Sequence, residues 1–252
     1  MGKQSSNPEV TVVITAMTDS ERPWLLEAVD SVLAQTVVPH ELILCVAEGN
    51  SWITEELARS AHPVACEKLV KLHRMPMALV GAVRNAGIKK ASTSWVAFLD
   101  SDDAWDSRKL EKQLQAAYEN PDASFIGTDY VFIDAQGRSF GFADGSNPTP
   151  SSWMVRRDLM LAHPFDPEAK QGEDYFWLVD TYKVSQRVRV PEVLVHYRIR
   201  GRSISALEYG QSSQRRLRER AAQLAAYPFV RYPLLATTYV RYLIRRRTTY
   251  DV

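Results

Sequence analysis

Short β-branched or aliphatic runs alternate with segments of helical periodicity, and this alternation limits the possible folds more than any other feature of the sequence. The first run, Val10–Ala16, precedes a segment at 24–33 whose apolar side chains share one helical face. An order of this kind predicts an α/β fold with a mainly parallel central sheet and helices on both faces. Further strands are predicted at 41–46, 68–72, 94–99 and 124–133, and further helices at 54–60, 79–90 and 107–118.

A cluster of acidic residues follows the strand predicted at 94–99. Asp100, Asp102 and Asp103 stand there within four positions, at the end of a strand where sheets of this type bind their ligands. Like charges at close range disfavour ionisation, a cost that is tolerated where a cation neutralises them. Mg²⁺ or Mn²⁺ prefers one or two protein carboxylates, with phosphate and water as the other ligands. The residues alone leave two interpretations open, a metal site or a cap for the following helix.

A second acidic pair opens the amphipathic stretch at 175–184. The sequence Gly172-Glu173-Asp174 predicts that Asp174 stands at a helix N-terminus, where a capping carboxylate stabilises a helix by about 1 kcal/mol. The irregular segment 141–152, rich in Gly, Pro, Ser and Asn, is interpreted as a functional loop rather than a domain boundary.

Composition excludes several classes of protein. Of 252 residues, 45% are hydrophobic, and 31 basic residues balance 30 acidic ones, so a disordered, collagen-like or low-complexity chain is excluded. Cys45 and Cys66 fit no metal-binding spacing and are expected to be unpaired thiols. The N-terminus lacks an apolar signal core, and no run of about 18 apolar residues occurs. These features predict a cytoplasmic protein.

Charge separates the C-terminal segment from the rest of the chain. Residues 211–252 contain nine Arg against Glu219 and Asp251, a net charge of +7, so residues 1–210 carry −6. We therefore expect one domain at 1–210 and a basic helical tail at 211–252. Arg interleaved with aromatic residues suits an anionic membrane surface, and its apolar faces would equally suit a homodimer. Nucleic acid is not an expected partner, because no nucleic-acid-binding motif appears and the main body is acidic.

Four ordered segments resemble the inverting family 2 glycosyltransferases. The segment VGAVRNAGIKKASTSWVAFLDSDDAWDSRKLEKQ resembles their donor-binding core, in which an Arg-Asn-x-Gly helix leads into a strand ending in Asp-x-Asp-Asp. The first strand and helix (VTVVITAMTDSERPWLLEAVDSVLAQT), the Glu-Asp segment (PFDPEAKQGEDYFWLVD) and the closing strand (VPEVLVHYRIRGRSIS) are also similar. The resemblance covers about residues 9–206. It implies a GT-A fold and transfer of one sugar, with inversion, from a nucleotide-sugar (UDP-sugar favoured) to a hydroxyl of a glycan, a lipid-linked glycan or another acceptor.

The resemblance also implies roles for individual residues. Asp174 would be the general base of a single displacement, and Asp102 would bind Mg²⁺ or Mn²⁺ against the donor diphosphate. Nucleotide-sugar contacts would come from Thr15, Ala16, Glu48, Arg84, Asp100, Ser101 and Asp102. Acceptor-side or supporting positions would be Trp153, Glu173 and Arg200.

Two positions depart from the family pattern. Ala47-Glu48-Gly49-Asn50 stands where the family has Asp-Asp-Gly-Ser, so Glu48 would replace a base-contacting Asp with a longer side chain. Arg200 stands where the family has His, and its charge could replace part of the metal's role. Two other functions remain open at this stage: a nucleotidyltransferase, although no Gly-rich phosphate loop follows the first strand, and a non-catalytic nucleotide-sugar-binding module.

Overall fold

A single nine-stranded sheet forms the centre of the protein in the computed structural model, which describes residues 10–143 and 148–199. The strands are β1 (Val10–Ala16), β2 (Glu41–Ala47), β3 (Val70–Met75), β4 (Trp95–Asp100), β5 (Ala104–Trp105), β6 (Phe125–Ile133), β7 (Ser139–Ala143), β8 (Trp153–Arg156) and β9 (Arg187–Arg198). The helices are α1 (Arg22–Leu33), α2 (Trp52–Leu57), α3 (Pro63–Leu69), α4 (Val80–Lys90), α5 (Lys109–Glu119), α6 (Arg157–Ala162) and α7 (Glu173–Asp180).

The strand order is β3-β2-β1-β4-β8-β6-β9-β5, and β7 pairs with β6. Strands β3, β2, β1 and β4 are mutually parallel, as the alternation in the sequence predicts. Strand β8 runs antiparallel to both of its neighbours, β4 and β6, whereas β9 runs parallel to β6. The predicted α/β class is confirmed, and the sheet becomes mixed beyond β4.

Two hydrophobic layers cover the sheet, as predicted. Along β1, Val12 and Ile14 face one layer and Val13 faces the other, because successive strand side chains point to opposite faces. Helices α1, α2 and α5 contribute buried side chains to the first layer, and α4, α6 and α7 contribute to the second. Full burial of each large aliphatic side chain contributes about 1.5–3 kcal/mol. Cys45 and Cys66 are buried and unpaired, which confirms the thiol prediction.

The structure corrects several predicted elements. The helix predicted at 54–60 is α2, which ends at Leu57, and α3 was missed because Cys66 is its one buried residue and no apolar stripe marks it. Pro63 occupies the first turn of α3, where its missing N–H costs nothing. Strand β3 lies later than predicted, at Val70–Met75. The predicted loop at 141–152 contains the end of β7 and a 3₁₀ turn at Pro150–Ser152.

Two glycines let α4 approach its neighbours closely. A Cβ atom on Gly87 would lie 2.5 Å from Val13 Cγ1, and a Cβ atom on Gly81 would lie 2.6 Å from the carbonyl oxygen of Asp166. Both positions therefore require Gly. Helix α4 is consequently held against both the sheet and the segment that leads to α7.

Some predictions fall outside the described residues. These are the tail at 211–252, the domain boundary at 210 and the side chain of Arg200. Within residues 10–143 and 148–199, no helix is both long and apolar enough to cross a membrane.

Candidate active site

Two acidic segments predicted from the sequence are brought together at the carboxyl edge of the sheet. Asp100 ends β4 and pairs in register with Thr15 of β1. Glu173 and Asp174 form the first turn of α7. Since α7 begins 70 or more positions later in the chain, only the fold brings its acidic residues near β4.

Arg84 of α4 joins the two acidic segments. Its guanidinium donates from Nη2 to Asp100 Oδ1 at 2.6 Å and from Nη1 to Glu173 Oε1 at 2.5 Å. Burial alone would lower the pKa of Arg84, but the carboxylates of Asp100, Glu173 and Asp174 raise it above its ordinary value. With the side chain 3% exposed, Arg84 offers almost no surface to a nucleotide. Arg84 thus forms a buried link between the two segments, and its expected contact with base or phosphates stays a prediction.

Glu173 and Asp174 differ in their surroundings. Burial and the neighbouring Asp174 raise the pKa of Glu173, while Arg84 lowers it. Asp174 is half-buried, and its Oδ1 accepts a hydrogen bond from the N–H of Tyr175 at 2.8 Å. The N-cap position belongs to Gly172, whose φ of 74° is left-handed. The capping interpretation of Asp174 is therefore wrong, although its place in the first helical turn is confirmed.

The three aspartates at the end of β4 belong to a tight turn, called here the Asp turn (residues 100–103). It is closed by a hydrogen bond from the N–H of Asp103 to the carbonyl oxygen of Asp100 at 3.0 Å. Asp103 is 1% exposed, and burial, with the charges of Asp102 and Asp100, raises the pKa of Asp103 well above its ordinary value. Asp100 and Asp102 are only partly buried. Asp103 thus points into the protein, and Asp100 and Asp102 are the members that keep contact with solvent.

Two residues that the sequence did not single out hold the Asp turn. Ser151 donates its hydroxyl to Asp103 Oδ2 at 2.6 Å and accepts the N–H of Asp100 at 3.1 Å. Arg198 of β9 donates its backbone N–H to Asp103 Oδ1 at 2.8 Å and Nε to the carbonyl oxygen of Asp102 at 2.7 Å. The only available signal was their position, since Ser151 lies in the predicted functional loop and Arg198 in the segment resembling the family's closing strand.

The ends of β1 and β2 lie on the same edge of the sheet as the Asp turn. Ala16 is buried, and its carbonyl oxygen accepts a hydrogen bond from Asn50 Nδ2 at 3.3 Å. Glu48 follows β2 and is exposed. Thr15 and Ser101 are buried, so their side chains present little surface to a ligand. Of the expected nucleotide contacts, Glu48 is thus the most accessible at this end of the site.

Trp153 belongs to the core. Its side chain is 0% exposed and packs among Phe98, Phe125, Phe165 and Trp177. Trp153 therefore presents no surface to an acceptor in this structure. The packing of Trp153 suits a supporting position. Trp153 contacts Phe165 and Trp177, which belong to the segment and the helix that carry Asp174.

Metal-binding groups are sparse in the part of the chain that the structure describes. No set of three or more His, Cys, Asp or Glu side chains is arranged there to hold an ion. Asp103 is directed inward and Asp100 is paired with Arg84. Asp102 is partly buried, and its expected role as a metal ligand stays a prediction.

Comparisons with known proteins agree with this geometry. Residues 11–157 match the family model "Glycosyl transferase family 2". A Rickettsia bellii protein named only as an uncharacterized glycosyltransferase is 34% identical over 115 residues, which are 46% of this chain and 16% of that relative. The UDP-Glc:alpha-D-GlcNAc-diphosphoundecaprenol beta-1,3-glucosyltransferase WfgD of Escherichia coli is 29% identical over 60% of this chain and 62% of its own length.

A solved structure shares the fold. Staphylococcus aureus TarS, residues 1–349 in complex with UDP-GlcNAc, superimposes with a TM-score of 0.60 at 16% identity, over 81% of this chain and 62% of that one. The family model spans the strands and helices from β1 to the start of α6 and includes Arg84 and the Asp turn. The chain therefore belongs to glycosyltransferase family 2 and has its GT-A-like fold.

Proposed function

We propose that this protein transfers one sugar from a nucleotide-sugar to a hydroxyl acceptor with inversion. The observation that carries the proposal is the Arg84 bridge, because it fixes Asp100 at the strand end beside the turn of α7 that holds Asp174. The proposed donor site and the proposed general base are thereby linked through Arg84. UDP-sugar is the favoured donor, since TarS is described in complex with UDP-GlcNAc and WfgD is named for UDP-Glc.

Asp174 is the proposed general base. Glu173 is buried and held by Arg84, whereas Asp174 is half-buried and has the larger exposed surface. A carboxylate that takes the proton of the acceptor hydroxyl as the new bond forms contributes about 10²–10⁴ in rate. Attack from the face opposite the leaving group inverts the anomeric centre.

Asp102 is the proposed ligand of Mg²⁺ or Mn²⁺. Such ions commonly use one or two carboxylates together with substrate phosphates and water rather than an all-protein cage, so a single partly exposed carboxylate fits. The bound ion would neutralise charge on the diphosphate leaving group.

Other residues are proposed to support the donor site. Arg198 and Ser151 keep the Asp turn in shape, and Thr15, Ala16 and Glu48 would line the nucleotide end. Arg200 is proposed to add positive charge near the phosphates.

The acceptor is proposed to be a glycan or a lipid-linked glycan. WfgD is named for an acceptor on diphosphoundecaprenol, which is a membrane lipid. The basic segment 211–252 would then hold the enzyme peripherally at the cytoplasmic face of a membrane, with a homodimer through the same segment as the other outcome. Nucleic acid is not a proposed partner.

Thermal stabilisation by nucleotides tests the donor proposal. UDP, GDP, CDP and dTDP are compared with and without Mn²⁺, because a ligand that binds the native state raises stability by mass action. We expect UDP with Mn²⁺ to stabilise the wild type most, and Asp102→Asn to lose the Mn²⁺-dependent part. The control is Asp122→Asn, an exposed residue before β6, at the opposite edge of the sheet. Failure of all four nucleotides to bind would overturn the proposed function.

A further inference from the structure

One buried hydroxyl contacts both ends of the Asp turn. Ser151 is 0% exposed, and its Oγ lies 3.1 Å from the N–H nitrogen of Asp100 and 2.6 Å from Asp103 Oδ2. The hydroxyl accepts a hydrogen bond from Asp100, the first residue of the turn, and donates one to Asp103, the last. The hydroxyl therefore acts across the turn, in parallel with the backbone bond that closes it from Asp103 to Asp100.

The position of Ser151 is itself fixed from the core. Trp105 donates its indole N–H to the carbonyl oxygen of Ser151 at 2.8 Å. Gln113 of α5 donates to the carbonyl oxygen of Ser152 at 3.0 Å and to that of Ile126 at 2.9 Å. The 3₁₀ turn at Pro150–Ser152 is thus tied to α5 and β6, and the hydroxyl has little freedom to follow a movement of the Asp turn.

We propose that Ser151 is a positioning residue that sets the orientation of the Asp turn, and through it the direction in which Asp102 is presented to the donor. The inference rests on the proposed function, in which Asp102 holds the metal of a nucleotide-sugar. Without the hydroxyl, Asp100 N–H and Asp103 Oδ2 lose a shared partner in a buried environment, where an unmade hydrogen bond is costly. The turn then samples other orientations, and binding through Asp102 weakens.

Ser152 is a matched control for Ser151. The two serines are adjacent, both are 0% exposed, and both hydroxyls are hydrogen-bonded. The hydroxyl of Ser152, however, donates to the carbonyl oxygen of Thr149 at 2.7 Å, within its own turn. Removing the Ser151 hydroxyl costs two hydrogen bonds and removing the Ser152 hydroxyl costs one, but of these two hydroxyls only that of Ser151 touches the Asp turn.

The experiment measures the Kd of UDP by calorimetry over a range of Mn²⁺ concentrations, together with the Tm of each protein. The full-length wild type, Ser151→Ala, Ser152→Ala and Asp102→Asn are compared. We expect Ser151→Ala to weaken Mn²⁺-dependent UDP binding about tenfold, the loss of roughly one hydrogen bond, and to require more Mn²⁺ for half-saturation. Ser152→Ala should keep its UDP affinity within about twofold of wild type although its Tm falls through the loss of its own hydrogen bond. The two variants would then both lose stability, but only Ser151→Ala would lose UDP affinity. A serine that only stabilises the fold would not produce that difference.

The possible failures are distinguishable. Should Asp102→Asn bind UDP and Mn²⁺ like the wild type, the metal assignment falls and this inference falls with it. If Asp102→Asn loses Mn²⁺-dependent binding but Ser151→Ala binds UDP as tightly as Ser152→Ala, only the positioning role of Ser151 is overturned. If Ser151→Ala does not fold, Ser151→Cys is judged by the same criteria, because a thiol of similar size is a weak hydrogen-bonding group.

Discussion

Arg84 Nη2 lies 2.6 Å from Asp100 Oδ1, and this contact couples helix α4 to the end of the central strand β4. The same guanidinium reaches Glu173 of α7 through Nη1. Three elements that are separate in the chain are therefore joined by one buried cation, directly beneath the surface where the donor and the acceptor are proposed to meet.

Arg84→Gln is expected to lower the free energy of unfolding by about 3–5 kcal/mol, because it leaves the carboxylates of Asp100 and Glu173 without their partner. Turnover should fall as well, since α7 loses its link to β4. Urea denaturation measures the first effect. Arg138→Gln is the control. Arg138 forms an ion pair with Asp134, and its side chain is 77% exposed. This pair should contribute at most about 1 kcal/mol to stability. Unchanged stability with a specific loss of nucleotide affinity would return Arg84 to the role of a nucleotide contact.

Asp174→Asn is expected to reduce kcat by about 10² or more while donor affinity stays nearly unchanged, because an amide cannot take the acceptor proton. Steady-state kinetics and calorimetry with the donor measure the two quantities. Asp180→Asn, at the exposed end of the same helix, controls for charge removal. Weaker donor binding with intact turnover at saturation would refute the base assignment, and NMR of the product's anomeric centre tests inversion independently.

Glu41 is expected to make stability depend on pH. It is 2% exposed. Although burial alone would raise its pKa, hydrogen bonds from Lys71, Ser92 and Thr11 lower the pKa of Glu41 to about 2, from an ordinary 4.5. A depressed carboxyl pKa stabilises the fold above the unfolded-state pKa, and the contribution is lost as pH falls from about 5 towards 2.

Glu41→Gln should accordingly cost about 2–3 kcal/mol at pH 7, and its difference from wild type should shrink in urea titrations at pH 5, 4 and 3. The control is Glu67→Gln on the exposed side of α3, which should change stability by less than about 0.5 kcal/mol. A difference that does not vary with pH would show that the Glu41 charge is not what stabilises the start of β2.

The basic tail is expected to bind anionic vesicles at low salt and to release them at high salt, because each Arg near an anionic leaflet contributes about 1 kcal/mol. The full chain is compared by liposome sedimentation with a chain ending at Leu207. A full-length variant with Arg215, Arg216, Arg218 and Arg220 replaced by Gln should sediment with vesicles at least about tenfold less. A dimeric wild type that ignores anionic vesicles at low salt would favour a subunit interface instead.

Local sequence patterns predicted β1, β2 and β4, which are buried on both faces, and also β6, which was predicted at 124–133 and lies at Phe125–Ile133. Strands β1, β2 and β4 are continuous apolar runs, and the acids after β4 marked the correct edge. The hydrogen bonds that hold the Asp turn depend instead on contacts between residues far apart in the sequence. Ser151 and Asp103 are separated by 48 positions, and Arg198 and Asp103 by 95, so no local pattern shows that they meet.

Motif resemblance likewise identified residues without showing where their side chains point. Arg84 was expected to contact the nucleotide-sugar, and Trp153 to face the acceptor or to support the site. In the structure, Arg84 is enclosed by carboxylates and Trp153 by aromatic rings. The orientations of both side chains follow from packing on the second face of the sheet, where α4, α7 and β8 converge. A motif fixes a residue type and a register, whereas the direction of a side chain is decided by its neighbours in space.

The Asp turn depends on the last residue of β9, a part of the chain that is translated late. Arg198, near the end of β9, supplies two of the bonds that hold the Asp turn, and contacts of such long sequence separation form slowly because chain closure must come first. During translation, residues 100–103 leave the ribosome long before Arg198 does. We therefore expect the N-terminal strands to fold cotranslationally while the Asp turn acquires its final shape only after residue 198 has emerged, so that premature termination before β9 yields a folded core without a competent donor site.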